Sequence, residues 1–281
     1  MSVIKVKELT KTFGNERALK GVSFEVGKGQ IFGLLGPSGS GKTTTIKILT
    51  GEFEPNSGTV IVNGYNHEQF DKNDYVSKLG ILSDKSSLYE RLTVKDNLEL
   101  FRKLYGAPKG SVERVLEDVG LLEEINKTVS KLSKGMKQRI LLCKAVIHKP
   151  DILFLDEPTS ALDPTTAEKI HEMLEVLRDE GTTILLTTHN MEEATRLCDQ
   201  VAFLYQGVIQ DHGAPNELRH KYKRNLVHVT YADGENKSFE KTTENDNLLK
   251  TVLLDEQAID VRTDFPTLGE VFKKVTGKEL Y

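Results

Sequence analysis

The chain has 281 residues, of which 28% are charged, and a formal net charge of −4. This length fits a core of about 200 residues with a small additional module. The composition excludes collagen-like, disordered and disulfide-rich chains. The weak negative charge argues against a broad nucleic-acid-binding surface, so no nucleic-acid partner is expected.

The chain contains two cysteines, Cys143 and Cys198, and both stand among apolar residues. Buried free thiols in a reducing compartment are therefore expected. The N-terminal residues lack an apolar stretch after a basic one, and no run of about 18 apolar residues occurs anywhere. The sequence thus predicts a soluble protein without a signal peptide or a membrane-spanning helix.

Apolar and polar residues alternate between glycine turns in residues 1–30, which predicts short antiparallel strands. Residues 31–35 form a continuous apolar run, typical of a strand buried on both faces. Between residues 79 and 150 the apolar spacing becomes helical. Buried strands are predicted again at residues 152–155 and 183–187, with an amphipathic helix between them. This alternation indicates a parallel sheet with crossover helices.

The pattern changes after residue 218. Residues 220–224 are predicted to be a solvated linker, which we favour over a nucleic-acid patch because of the overall charge. Strands are predicted at residues 226–231 and 259–261, the first followed by an Asp-Gly turn. Thr267 with Glu270 predicts a capping box and a last short helix. We therefore predict a small α+β module at residues 219–281.

A glycine-rich sequence follows the first buried strand and precedes a helix, which is the pattern of a phosphate-binding loop. Glycines allow backbone N–H groups to point at phosphates, and the helix N-terminus adds partial positive charge. Lys42 is predicted to contact the β- and γ-phosphates and the Thr43 hydroxyl to bind Mg²⁺. A chance glycine-rich turn is disfavoured, because this pattern arises by accident in about one chain in a hundred of this length. The predicted nucleotide-binding residues here are Gly36, Pro37, Ser38, Gly39, Ser40, Gly41, Lys42, Thr43 and Thr44.

The buried strand at residues 152–155 ends in two carboxylates, Asp156 and Glu157. Ligands bind at the carboxyl edge of parallel sheets, and successive strand residues point to opposite sides. Asp156 is therefore predicted to hold Mg²⁺, and Glu157 to orient or deprotonate the attacking water. The alternative, a pair of solvated acids at the start of a loop, is less favoured beside a phosphate-binding loop.

Four further motifs, in family order, resemble those of ABC ATPases. Asp163 ends a segment similar to the D-loop, His189 resembles the switch histidine, and Phe13 resembles the aromatic residue that stacks on adenine. The fourth resembles the signature motif and contributes Ser133, Lys134, Gly135 and Met136. Together with the two phosphate-site motifs, these identify residues 1–218 as a member of this family.

The resemblance implies an α/β P-loop NTPase fold. Its mostly parallel sheet would be joined by an antiparallel β subdomain and by a helical subdomain at about residues 86–150. ATP and Mg²⁺ are the implied ligands, with Glu157 and His189 as catalytic residues.

The implied assembly is a head-to-tail homodimer with two ATP molecules at its interface. One subunit's phosphate loop and the other's Ser133 and Gly135 would hold each ATP, and Asp163 would link the two sites. The remaining implied partner is a separate integral-membrane permease. It would place the chain in the cytoplasm, peripherally on the inner face of the cell membrane.

One position departs from the family pattern, because Asp84 stands where the Q-loop carries glutamine. A carboxylate accepts hydrogen bonds from metal-bound water but cannot donate one as an amide does. The candidate metal ligands are therefore Thr43, Asp156 and Asp84. The metal contact of Asp84 is in doubt, because this residue replaces the glutamine of the family.

Two segments resemble segments that, in ABC ATPases, are associated with the permease. Residues 265–272 are similar to the terminal motif of ATPases paired with ABC-2-type permeases, most of which export drugs, peptides, polysaccharides or lipids. An ordinary amphipathic helix is the alternative. Residues 88–93 are similar to the stretch that lines the groove for the permease's coupling helix.

Two other functions remain open. A soluble ABC protein acting on DNA or the ribosome usually carries long coiled-coil insertions or two cassettes, and the sequence has neither. A nucleotide-binding regulator without turnover is disfavoured by Glu157 and His189 but left open by Asp84. The predicted C-terminal module would stabilise the dimer or regulate it.

Overall fold

The computed structural model describes residues 2–160, 162–224, 226–242, 245–263 and 265–278. These form two compact units, the first ending at Ala214 and the second beginning at Pro215. The boundary predicted at residues 218 and 219 falls inside a helix of the second unit. Ala161 of the D-loop-like motif and the last three residues of the predicted module lie outside the described residues.

The first unit contains ten strands within its described residues. They are β1 Ser2–Phe13, β2 Glu16–Gly27, β3 Ile31–Leu35, β4 Ser57–Val62, β5 Tyr65–Asn66, β6 Leu79–Leu82, β7 Ile152–Asp156, β8 Thr183–Thr188, β9 Gln200–Tyr205 and β10 Val208–Gly213. Its helices are α1 Lys42–Leu49, α2 Asn73–Val76, α3 Val94–Leu104, α4 Ser111–Asp118, α5 Lys134–Val146, α6 Pro164–Asp179 and α7 Met191–Leu197.

These strands form two sheets. The antiparallel sheet has the order β2-β1-β4-β5, and the larger sheet has the order β10-β9-β3-β8-β7-β6. From β9 to β6 all neighbours of the larger sheet are parallel, and only β10 pairs antiparallel. The helices between parallel strands serve as the crossovers that such pairing requires. The predicted α/β fold, with its antiparallel part and its helical segment, is confirmed.

The core lies around the central strands of the larger sheet. All residues of β3 and β8 are buried, as are the first four of β7. Each fully buried leucine or isoleucine contributes about 1.5–3 kcal/mol to folding. Packing is close enough that a Cβ on Gly33 would lie 2.8 Å from the Cys198 sulfur. The core therefore fixes the strands whose ends carry the candidate site.

Both cysteines are buried and free, as predicted. Burial raises the pKa of the Cys143 thiol, and it raises the pKa of Cys198 well above the ordinary value. Within the described residues no helix is both long enough and apolar enough to cross a membrane.

Two sequence predictions were wrong. Residues 79–82 do not begin a helical region but form β6, which pairs parallel with β7. Periodicity cannot assign so short an apolar run, and here pairing with β7 decides it. Residues 220–222 belong to a helix rather than to a linker, because Arg219 bonds the Pro266 carbonyl oxygen and the His220 ring packs against Phe265.

The second unit is a small α+β module, as predicted. Its elements are α8 Pro215–Tyr222, β11 Leu226–Tyr231, β12 Asn236–Glu240, α9 Asp246–Leu253, β13 Ala258–Thr263 and α10 Leu268–Thr276. The strands form an antiparallel sheet in the order β12-β11-β13. Thr267 and Glu270 form the predicted capping box at the start of α10.

Candidate functional site

Strand order brings four motifs to one edge of the larger sheet. The glycine-rich loop follows β3, and its neighbour β8 is followed by His189. Next in the sheet is β7, which ends at Asp156 and is followed by Glu157, and then β6, beyond which lies Asp84. Because these strands are parallel, their carboxyl ends face the same side. Four motifs far apart in sequence thereby line one site.

The glycine-rich loop wraps the start of α1 tightly. A Cβ on Gly36 would lie 2.1 Å from the Leu204 carbonyl oxygen, so no larger residue fits there. Gly41, the N-cap of α1, has φ 111°, a left-handed conformation that other residues rarely adopt. It gives α1 no side-chain cap, and the first turn carries no acidic residue. The helix N-terminus is thus chemically suited to an anion.

The Lys42 side chain is buried in this loop. Its ammonium group donates hydrogen bonds to the carbonyl oxygens of Gly36, at 2.7 Å, and Pro37, at 3.2 Å. The same nitrogen lies 3.6 Å from Glu157 Oε1. The ammonium therefore joins the phosphate loop to the end of β7.

Asp156 is held by two hydroxyl groups. Thr43 Oγ1 donates to Asp156 Oδ2 at 2.8 Å, and Thr187 Oγ1 donates to Oδ1. Thr187 reaches Asp156 because the two residues are register partners between β7 and β8. The carboxylate of Asp156 is thus fixed in orientation beside the first turn of α1.

Glu157 has an unusual backbone conformation, with φ 52°. This left-handed region is unfavourable for a residue with a Cβ, by about 1–2 kcal/mol. Its N–H donates to the Thr187 carbonyl oxygen at 3.1 Å, which helps to hold the conformation. Its Oε2 lies 2.8 Å from His189 Nδ1. Because a carboxylate only accepts, Nδ1 is assigned the proton and the donor role.

A cavity of about 620 Å³ opens over these residues. Of the predicted residues, the following line it: Phe13, Ser38, Gly39, Gly41, Lys42, Thr43, Thr44, Asp84, Asp156 and Glu157. Phe13, at the end of β1, is 44% exposed, and its ring packs edge-on against Phe53 with centroids 5.3 Å apart. An exposed aromatic ring at the rim of a polar cavity is chemically suited to stacking on a nucleotide base.

Asp84 lines the cavity, and its carboxylate forms an ion pair with Lys47. Oδ2 accepts a hydrogen bond from Lys47 Nζ at 3.0 Å, and Lys47 belongs to α1. This pair links the segment after β6 to the phosphate-loop helix.

The signature-like residues lie at the start of α5, outside the lining of this cavity. Ser133 is the N-cap of α5 and accepts a hydrogen bond from the Met136 N–H at 3.2 Å. Ser133 and Lys134 are exposed, and none of Ser133, Lys134, Gly135 and Met136, all of which are described, lines the cavity. The exposed start of α5 is thus available to a ligand from outside the subunit.

Asp163 caps a different helix, α6. Its Oδ1 accepts from the Thr166 N–H at 3.0 Å. Hydrogen bonds from Thr166 hold the pKa of Asp163 below its ordinary value. This aspartate is thereby kept as an anion at the start of α6.

Sequence reasoning missed several residues of this site. Thr187 could have been noticed as a polar residue directly after the apolar run Ile184–Leu186, and Lys47 as a cation one turn beyond Thr43. Gln138 lines the cavity and donates to the Pro158 carbonyl oxygen at 3.2 Å, but no local sequence signal predicted this.

The sequence and the structure both match known proteins. The family described as ABC transporter matches residues 19–160. A fluoroquinolones export ATP-binding protein of Mycobacterium tuberculosis (strain ATCC 25618 / H37Rv) is 37% identical over 99% of this chain and 94% of its own length. The linearmycin resistance ATP-binding protein of Bacillus subtilis (strain 168) is 34% identical over 84% of this chain and 77% of its own.

Among solved structures, an ATP-binding subunit of an ABC transporter has a TM-score of 0.72 and 30% identity, covering 79% of this chain and 93% of its own. A dimeric ATP-binding cassette in a post-hydrolysis state, bound to ADP and Pi, has a TM-score of 0.69 and 28% identity. The match covers 75% of this chain and 98% of that cassette. The phosphate loop, the paired carboxylates and these matches lead to one conclusion: the chain belongs to the ABC transporter family, as an ATP-binding, ATP-hydrolysing subunit.

Proposed function

We propose that this subunit hydrolyses ATP, as a dimer, to drive export through a separate membrane permease. The observation that carries the proposal is the position of Glu157 between two partners, His189 at 2.8 Å and Lys42 at 3.6 Å. Lys42 and Glu157 line the cavity that also contains Phe13, and His189 lies outside its lining.

Each group of residues that lines the proposed nucleotide site contacts a different part of ATP. Phe13 stacks on the base, the amides of the loop from Gly36 to Thr44 surround the phosphates, and Lys42 neutralises the β- and γ-phosphates.

The residues present fit Mg²⁺. This ion prefers oxygen ligands and is usually bound by one or two carboxylates together with phosphate and water. Thr43 and Asp156 would hold it, since their oxygens lie 2.8 Å apart. Asp84 is assigned only an outer role, because its carboxylate already pairs with Lys47. When bound, the metal neutralises charge that develops on the phosphates.

Glu157 is the proposed general base. It accepts a proton from a water whose oxygen attacks the γ-phosphorus, and the bond to the β–γ bridging oxygen breaks so that ADP leaves, while His189 orients the carboxylate through Nδ1. Lys42 Nζ lies 3.6 Å from the other carboxylate oxygen, Oε1.

The proposed dimer completes the site. The start of α5 offers the Ser133 hydroxyl and the backbone N–H groups of a helix N-terminus, yet the signature-like residues do not line their own subunit's cavity. A second copy arranged head-to-tail brings these groups to the γ-phosphate, with Asp163 linking the two sites. ATP then holds the subunits together and hydrolysis releases them. The similar cassette solved as a dimer supports this arrangement.

Two observations support export as the direction of transport. The relative at 37% identity, which matches nearly the whole chain, is named for fluoroquinolone export. The tail at residues 265–272 resembles that of ATPases paired with ABC-2-type permeases. The permease would contact residues 88–93, where Tyr89 is 56% exposed, and would hold the chain at the inner face of the cell membrane.

We propose that the first unit, which ends at Ala214, is the ATPase domain, and that the second unit, which begins at Pro215, is an accessory module that stabilises or regulates the dimer. No nucleic-acid partner is proposed. We disfavour a regulator without turnover, and the distance of 2.8 Å between His189 Nδ1 and Glu157 Oε2 supports that choice.

The test is Glu157→Gln, which keeps the shape of the side chain but removes the base. We expect ATP hydrolysis to fall at least about a hundredfold, ATP binding to persist, and an ATP-dependent dimer to accumulate on gel filtration. Glu113→Gln, an exposed carboxylate in α4, is the matched control and should behave as the unaltered protein. Hydrolysis by Glu157→Gln at the unaltered rate would place the base elsewhere.

Export is tested in the cell that produces the protein. Cells carrying Glu157→Gln should accumulate more fluoroquinolone than cells carrying Glu113→Gln, because the permease loses its energy supply. Equal accumulation in both strains would argue against fluoroquinolone-type cargo while leaving the ATPase assignment intact.

A further inference from the structure

A buried polar cluster lies behind the site, and the proposed mechanism does not use it. Its centre is the Glu193 side chain, which is 1% exposed. Glu193 Oε1 accepts hydrogen bonds from Thr159 Oγ1 at 2.6 Å and from His171 Nε2 at 3.0 Å. The His171 side chain is only 9% exposed, and its Nδ1 has no hydrogen-bond partner in the described part of the chain.

Such a cluster is costly to bury. A charged carboxylate loses its hydration and is tolerated only when hydrogen bonds replace it. Burial raises the pKa of Glu193, but hydrogen bonds from His171, Thr159 and Thr188 outweigh this, and the pKa lies below its ordinary value. The carboxylate is therefore held through Oε1 and favours its charged form, while Oε2 is buried without a hydrogen-bond partner in the described part of the chain.

The three members of the cluster come from three segments that meet the site. Thr159 lies two residues after Glu157, and Glu193 lies four residues after His189. His171 belongs to α6, the helix that Asp163 caps. The Glu193 carboxylate, which belongs to α7 after His189, thus forms hydrogen bonds with two other segments. These are the turn after Glu157, through Thr159, and α6 after Asp163, through His171.

We propose that Glu193, acting through Thr159, is a positioning residue for the Glu157–His189 pair; this inference rests on the proposed function. Glu157 occupies a left-handed conformation that its neighbours must maintain. On its N-terminal side the Thr187 carbonyl oxygen holds its N–H, and on its C-terminal side the Thr159–Glu193 hydrogen bond anchors the turn. Without that anchor the turn relaxes, and the Glu157 carboxylate leaves the position in which it accepts the water's proton.

The decisive variant is Thr159→Val, which removes the hydroxyl, keeps the branched shape and leaves the His171–Glu193 pair in place. We expect kcat for ATP hydrolysis to fall about tenfold, because a small displacement of a catalytic group costs a large part of its effect. The KM for ATP and the ATP dissociation constant should change less than about twofold, since neither Thr159 nor Glu193 lines the nucleotide cavity. The matched control Thr159→Ser keeps the hydroxyl and should restore most of kcat.

A purely stabilising role for the cluster predicts a different result: Thr159→Val would then lower the unfolding temperature while kcat of the folded protein stayed unchanged. Unaltered kcat in Thr159→Val, or a loss equally large in Thr159→Ser, would overturn the proposal. If Thr159→Val does not fold, Thr159→Ala removes the same hydroxyl without a methyl group against Glu193 and is judged by the same criteria.

Glu157→Gln, measured in parallel, separates this inference from the proposed function. Hydrolysis by Glu157→Gln at the unaltered rate would refute the proposed function itself. An inactive Glu157→Gln beside a fully active Thr159→Val would refute only the positioning role.

Discussion

His189 Nδ1 lies 2.8 Å from Glu157 Oε2, although the two residues are 32 positions apart in sequence. The contact exists because β7 and β8 are parallel neighbours, so the residues that follow them meet at one sheet edge. It places the histidine beside the proposed general base and outside the residues that line the nucleotide cavity.

The first prediction concerns this contact. His189→Ala should reduce kcat for ATP hydrolysis about a hundredfold, because Glu157 loses the donor that orients it. ATP affinity, measured by calorimetry, should remain within about threefold, since His189 does not line the nucleotide cavity. His212→Ala, which removes an exposed histidine of β10, is the control. Unaltered hydrolysis by His189→Ala would contradict the assigned role.

The second prediction separates the candidate metal ligands. Asp156→Asn should raise the Mg²⁺ concentration needed for half-maximal hydrolysis at least about tenfold, because it removes a charged ligand. Asp84→Asn should shift that concentration less than about threefold, since the Asp84 carboxylate pairs with Lys47. A larger shift from Asp84→Asn than from Asp156→Asn would reverse the assignment.

The sequence predicted the site in parts rather than as a whole. The phosphate loop could be identified because glycines, lysine and threonine act locally at the start of one helix. The pairing of Glu157 with His189 rested on resemblance alone, because it depends on the order of strands in the sheet. Strand order is a property of tertiary packing, which residue spacing within one segment does not encode.

The mistaken and missing predictions have the same origin. Residues 79–82 are short and apolar, and only pairing with β7 makes them a strand. Thr187 and Glu193 bond partners 31 and 34 positions away, so no local pattern predicts these contacts. Asp84 was recognised as a departure from the family, but its partner Lys47 was found only when the segment after β6 was placed beside α1.

The third prediction concerns the pH dependence of stability. The pKa of Glu193 in the folded protein lies below its ordinary value of 4.5, so the unfolded state takes up its proton first as the pH falls. The stabilisation by the charged carboxylate is therefore fully present above about pH 5 and is lost as the pH falls through the folded-state pKa. The ionisable groups beside it are His171, whose Nε2 lies 3.0 Å from Oε1, and the Cys198 thiol, whose pKa the charge of Glu193 raises.

Glu193→Gln should accordingly lower the free energy of unfolding by about 2 kcal/mol at pH 7, by weakening the hydrogen bonds that the carboxylate accepts. Urea unfolding between pH 8 and pH 3.5 measures this difference. It should stay nearly constant down to about pH 5 and shrink below that. A difference that grows on acidification would contradict the structural assignment of a charged Glu193.

The fourth prediction concerns the thiols. Burial raises the pKa of both Cys143 and Cys198, so neither is a reactive thiolate near neutral pH. Iodoacetamide at pH 7.5 should leave the native protein unmodified over an hour, and in urea both cysteines should react. Intact mass spectrometry reads the result, and rapid labelling of the native protein would contradict the buried placement.

The most direct test of the account is binding of ATP to the unaltered protein and to Lys42→Ala, measured by calorimetry with and without Mg²⁺. The matched control is Lys28→Ala, an exposed lysine just before β3, at the end of the strand opposite the phosphate loop. We expect Mg²⁺-dependent binding to the unaltered protein and to the control, and affinity at least about tenfold weaker in Lys42→Ala. Equal affinity in all three proteins, or no dependence on Mg²⁺, would contradict the proposed phosphate-binding role of Lys42 and the proposed metal site.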